Sequence, residues 1–110
     1  MPGSASSRTH LNAGTLAAEV LTALRTHYQD LAPRFHIRSL GLFGSVVRDE
    51  QTVDSDVDIL VEFTTPPTLF GFLELERELA AAIGRRVDLV DRTVLKPGIG
   101  KRVLQEVVPV

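Results

Sequence analysis

Asp56 and Asp58 stand two residues apart in an alternating apolar stretch, and the pair Gly44-Ser45 precedes them across ten intervening residues. Residues two apart on a strand point the same way, so the two carboxylates share a face with Cα atoms about 7 Å apart. Like charges that close disfavour joint ionisation. A divalent cation reverses the balance, and Mg²⁺ is held by hard oxygen ligands, usually one or two carboxylates together with phosphate oxygens. Asp88 lies in a later apolar segment at the same in–out phase. If the two segments pair as neighbouring strands, all three acids converge, and three acids suit two metal ions. Two ions about 4 Å apart can stabilise the attacking and leaving oxygens of an in-line phosphoryl displacement. In this reading Asp56 and Asp58 hold the nucleotide-bound ion and bridge to the second. Asp88 helps hold the second and accepts the acceptor's proton, directly or through water.

Gly44 and Ser45 supply the anion side. A glycine lets backbone approach a phosphate closely, and the Ser45 hydroxyl and nearby N–H groups, where a strand gives way to a helical turn, can bind phosphate oxygens. Arg48, one turn on, is placed to neutralise phosphate charge. Glu50 reads as a support of the loop or a partner of Arg48, and Ser55 as a cap on the turn into the strand. Each of these alone is ordinary: Gly-Ser is a common turn and Asp-x-Asp is more often a solvated strand face. The spacing and the third acid together carry the reading. Glu62 lies too far along the strand to join the site. Arg85, Arg86 and Arg92 read as solvated surface, and His10, His27 and His36 show no metal-ligand spacing.

Helical spacing of Leu16, Ala17, Val20, Leu21, Leu24, Tyr28 and Leu31 predicts a first helix from about Asn12 to Leu31, stopped by Pro33. Ile37 to Phe43 reads as a strand running into the Gly44-Ser45 turn, with a short helical turn over Val46 to Asp49. Asp56 to Phe63 is the clearest strand, with Val57, Ile59, Val61 and Phe63 on one face and Asp56, Asp58, Leu60 and Glu62 on the other. Thr68 caps a helix that Gly84 ends, and within it Phe70, Phe72, Leu73 and Leu79 read as core. Val87 to Asp91 is a third strand, Pro97 opens a helix to about Glu106, and Val107 to Val110 is either a terminal strand or a frayed end. The order predicts an α/β (α+β) domain with a small mixed sheet, helices packed on one face and the acids on the other.

The chain has 110 residues, 44% hydrophobic and 24% charged, enough for one modest core. Residues 1–10 read as a flexible tail and residues 11–110 as the domain. A formal net charge of −2 without a basic run argues against a direct nucleic-acid partner. With no cysteine, any metal sits on oxygen or imidazole. Neither a membrane span nor a signal peptide is evident, so the expected location is cytoplasmic.

Leu42 to Phe63, LFGSVVRDEQTVDSDVDILVEF, resembles the signature of the minimal nucleotidyltransferases of the DNA polymerase β superfamily. More narrowly, it is similar to the MNT-domain antitoxins that accompany HEPN-domain toxins. Gly44, Ser45, Arg48, Glu50, Ser55, Asp56 and Asp58 match that family's pattern, and Asp88 matches its later third aspartate. Leu95-Lys96-Pro97 before a last helix is also similar. The chain departs at Val46, where many members carry a small or basic residue, and at Asp49, where many carry glycine.

The resemblance implies a polymerase β-like fold. It makes Gly44, Ser45, Arg48 and Ser55 the nucleotide- and phosphate-binding residues and Asp56, Asp58 and Asp88 the catalytic and metal-binding ones. It further implies Mg²⁺ as two ions, ATP as substrate, and transfer of AMP onto a tyrosine of a HEPN ribonuclease toxin in a hetero-oligomer. A non-catalytic antitoxin acting by direct binding, and the catalytic subunit of a small-molecule nucleotidyltransferase, are the competing readings.

Overall fold

A computed structural model describes residues 15–52 and 54–110. The expected tail at 1–10 and the expected start of the first helix at Asn12 lie outside these. Helix α1 spans Leu16–Phe35, with the Thr15 side chain accepting from the Ala18 N–H at 3.1 Å. Such a cap contributes about 1 kcal/mol. Strand β1 spans Ile37–Phe43 and β2 spans Val57–Phe63. Helix α2 spans Leu69–Ile83, capped by Thr68 and ended by Gly84, and β3 spans Val87–Asp91. Helix α3 spans Pro97–Glu106, and β4, Val108–Pro109, completes the order.

Pro33 does not stop α1. The helix runs through it to Phe35 and closes at His36, whose φ of 57° is left-handed and whose N–H bonds the Ala32 carbonyl. A proline there forfeits one backbone bond in the last turn. The extra residues offset that loss: Phe35 packs on the core, and Arg34 Nη2 lies 2.8 Å from Glu78 Oε2 on α2.

The sheet order is β3-β2-β1-β4. β1 pairs antiparallel with β2 and with β4, while β2 and β3 run parallel. The parallel pair needs a crossover, and α2 supplies it. Leu40, Leu42, Val57, Ile59, Val61, Val87 and Leu89 form the buried sheet face, against Val20, Leu21, Leu24 and Leu31 of α1 and Leu75 and Leu79 of α2. The side-chain period of two leaves Phe43, Asp58 and Asp88 on the opposite face.

Two of the expected core residues on α2 are not core. Phe70 is 85% exposed and Leu73 42%. Leu75 and Leu79 set the inward stripe, and Phe72 joins it by packing on Phe63 at 6.3 Å between ring centres. Phe70, two residues from Phe72, points to the other side of the helix.

The expected helices on one face are α1 and α2; α3 ends over the opposite face. A Cβ on Gly41 would strike the Val107 side chain just after α3, so the bare glycine backbone is what lets the chain settle there. β4 then pairs Val108 with Leu42 and Pro109 with Gly41, so the C-terminal segment is a strand rather than a frayed end. A proline is tolerated because β4 is the sheet edge.

Candidate active site

β1 delivers the chain into a 3-10 turn over Gly44–Val46. The Val47 and Arg48 N–H groups both fold back onto the Gly44 carbonyl, at 3.1 and 3.2 Å, and the Glu50 N–H bonds the Ser45 carbonyl at 2.9 Å. Gly44 has φ +81°, and a Cβ there would collide with Asp58 Oδ2 and come within 2.9 Å of its Cγ. Only glycine satisfies both conditions. The Ser45 hydroxyl has no hydrogen-bond partner among the described residues. Val46 is 3% exposed and belongs to the core, so its departure from the family pattern does not face the site. Asp49 sits at φ +59°, a left-handed conformation that glycine adopts without strain.

Asp58 and Asp88 are register partners across the parallel pair, and Asp58 also pairs with Phe43, the residue before the turn. The two acids therefore sit side by side on the open face, Asp58 half-buried and Asp88 exposed. Neither carboxylate has a hydrogen-bond or ion-pair partner among the described residues. Burial pushes the Asp58 carboxyl up to about 6; the charges of Asp88, Asp56 and Glu106 add to the rise and Arg48 opposes it. A half-buried, unpaired carboxylate among like charges suits a hard cation.

Asp56 differs. It precedes β2, is exposed, and lies 3.0 Å from Arg86 Nε, while Arg86 also donates to the Asp54 carbonyl. Arg86 is exposed, as the sequence pattern marks it, and it also clasps the first acid and the loop before it. Among the described residues no three His, Cys, Asp or Glu side chains cluster closely enough to hold a metal ion. The expected convergence of all three acids is thus only partly formed: Asp58 and Asp88 are adjacent, and Asp56 is turned to a cation of the protein. Arg92 is likewise engaged, 3.3 Å from Glu62 Oε1. Ser55 is occupied within its loop, its hydroxyl accepting from the Thr52 N–H at 2.8 Å.

Glu106, the last residue of α3, lines the candidate site and is not revealed by the motif. Its Oε2 accepts from the Gly44 N–H at 2.7 Å and its Oε1 from Arg48 Nη1 at 2.7 Å. Arg48 Nε also donates to Glu50 at 3.0 Å, the second of the two roles expected for that acid. Glu106 and then Glu50 hold the Arg48 guanidinium above its ordinary pKa. One signal is present in the sequence: an acid in the last turn of a helix opposes the helix dipole unless it finds positive partners. Between α3 and the turn lies a cavity of about 400 Å³, lined by Phe43, Gly44, Arg48, Asp58, Ile99 and Arg102 among others. Gly44 and Arg48, both bonded to Glu106, share this cavity with the Asp58 carboxylate, so donors for an anion and an acid for a cation lie together.

The family model for polymerase β nucleotidyltransferases matches residues 28–110. The protein adenylyltransferase MntA of Thermococcus cleftensis is 52% identical over 90 residues, covering 82% of this chain and 91% of its own. A solved structure provisionally described as a minimal nucleotidyltransferase superposes with a TM-score of 0.69 at 35% identity, covering 92% of this chain and 98% of that one. A toxin–antitoxin crystal structure with AMP-PNP superposes with a TM-score of 0.61 at 25% identity, over 84% of this chain and 69% of that one. The match over most of the length, the mixed sheet and the Gly-Ser turn beside paired aspartates agree, and the chain belongs to the polymerase β nucleotidyltransferase family.

Proposed function

We propose that this chain is an antitoxin that transfers AMP from ATP, with Mg²⁺, onto a tyrosine of a cognate HEPN ribonuclease toxin and so silences it. The observation that carries the reading is the register of Asp58 with Asp88 beside the Gly44-Ser45 turn. The similarity to a protein adenylyltransferase and to a toxin–antitoxin complex with AMP-PNP supports the substrate and the partner.

Asp58 and Asp88, with Asp56 once it turns from Arg86, are the residues that would hold Mg²⁺. When bound with the triphosphate, two such ions supply charge compensation for the attacking and leaving oxygens. Ser45 and Arg48 take phosphate oxygens, and Ser55 holds the loop that leads to Asp56. The tyrosine oxygen attacks the α-phosphorus in line, and its proton passes to Asp88, directly or through water. The bond to the β-phosphate oxygen breaks and pyrophosphate leaves.

The test is incubation of chain and toxin with labelled ATP and Mg²⁺, followed by intact mass. Mass increments of AMP on the toxin, lost in Asp58→Ala, are expected. An unlabelled toxin rejects the enzyme, and unchanged labelling by Asp58→Ala rejects the site. A chain with both Asp56→Ala and Asp58→Ala that cannot label yet still neutralises the toxin would replace catalysis with direct binding.

A further inference from the structure

Gly44, Arg48 and Arg102 line the cavity beside Asp58, and the Gly44 N–H and the Arg48 guanidinium are already bonded to one carboxylate, that of Glu106. Each oxygen of that carboxylate takes one donor, the division of contacts that two oxygens of a phosphate would make. A backbone N–H carries a single hydrogen and cannot serve Glu106 and a phosphate at full strength together. Arg48 has more donors: Nη1 serves Glu106 and Nε serves Glu50, while Nη2 has no partner among the described residues.

We infer that Glu106 is a further residue of the nucleotide site, a carboxylate that occupies the phosphate donors of Gly44 and Arg48 and must surrender them to the triphosphate. The inference rests on the nucleotide-binding reading above. Three features of this chain support it. Glu106 and Asp58 both line the cavity, so two carboxylates face an incoming polyanion. The backbone at Glu106 is anchored by the next two residues: Val107 seats against Gly41 and Val108 pairs with Leu42. The side chain, one-quarter exposed, is therefore the part that must turn away. The unused Nη2 of Arg48 and the Ser45 hydroxyl give a phosphate its first contacts while Glu106 is still in place.

The rival role for Glu106 is to position Arg48 and the turn for phosphate, and the two roles predict opposite signs. If the carboxylate competes, its removal tightens nucleotide binding; if it positions, removal weakens it. A charge-assisted hydrogen bond is strong enough that losing the competitor should tighten binding about tenfold or more. Calorimetric titration of the whole chain with ATP and Mg²⁺, and separately with tripolyphosphate and Mg²⁺, should give tighter binding in the order Glu106→Ala, Glu106→Gln, unaltered chain. Adenosine, which has no phosphate, should bind no differently. Glu106→Gln keeps the side chain's shape and decides the matter if Glu106→Ala melts too low to titrate. Equal or weaker ATP binding by these variants, beside an unaltered chain that does bind, overturns competition and leaves the nucleotide site standing. Absence of ATP and tripolyphosphate binding in all three chains overturns the nucleotide site and this inference with it.

Discussion

Gly44 and Asp58 exclude each other's alternatives: the carboxylate of Asp58 lies where any side chain on residue 44 would begin, and the glycine's φ of +81° is one that side chains resist. The turn that offers donors to an anion and the strand that offers an acid to a cation are thereby held at fixed separation. Gly44→Ala should destabilise the chain by roughly 1–3 kcal/mol and abolish AMP transfer. Thermal melting and the toxin-labelling assay check it; a variant with native melting temperature and native transfer would contradict the packing described.

The raised pKa of Asp58, about 6 against an ordinary 3.8, makes stability depend on pH. Because the folded chain binds this proton more tightly than the unfolded chain, the contribution favours folding below about pH 4 and is lost as pH rises through 6. Without metal the chain should melt higher at pH 5 than at pH 7 by the part due to Asp58, about 1 kcal/mol once solvent screening of this half-exposed group is allowed for. Asp58→Asn should remove that slope and raise stability at pH 7 while ending transfer. Melting curves in chelator across pH 4–8 read both effects, and an unchanged slope in Asp58→Asn would refute the assignment.

Arg86 offsets the charge of Asp56 from an exposed position, so it should matter more to cations than to folding. Arg86→Gln should change stability by under about 1 kcal/mol, the usual range for a surface ion pair. Removing this competing positive charge should tighten Mg²⁺ binding several-fold. Titration with Mg²⁺ in the presence of ATP measures it, and weaker binding would show instead that Arg86 holds Asp56 in its working orientation.

Asp49 bears the left-handed penalty that glycine avoids. Asp49→Gly should stabilise the chain by roughly 0.5–1 kcal/mol and Asp49→Val should destabilise it by more, since a β-branched residue fits that conformation worst. Chemical denaturation of the three chains decides, and a less stable Asp49→Gly would mean that the aspartate side chain contributes more than its backbone costs.

Local rules make most of the elements legible. The two-residue alternation from Val57 to Phe63 marks β2, and Thr68 and Gly84 bracket α2 because cap chemistry is written in single residues. Pro33 misleads because tertiary contacts of Arg34 and Phe35 outweigh one lost backbone bond. Phe70 misleads because an apolar residue announces its type and not the direction in which the helix turns it. At the site, Gly44, Asp58 and Asp88 are visible through spacing and strand phase. Glu106 and Arg86 are not, because their partners lie 62 and 30 residues away in sequence, and the pairing depends on β4 docking beside β1 and β3 beside β2.

The contact of Gly41 with Val107 links a bare spot in the middle of the sheet to the rim of the cavity. Val107 directly follows Glu106, so the glycine works as a socket whose depth sets how far the end of α3 descends. Filling that socket with even one methyl group would lift the helix end and carry the Glu106 carboxylate with it. A substitution that touches neither an acid nor the Gly-Ser turn would then alter how strongly the chain grips a triphosphate, and a sheet glycine becomes a dial for affinity.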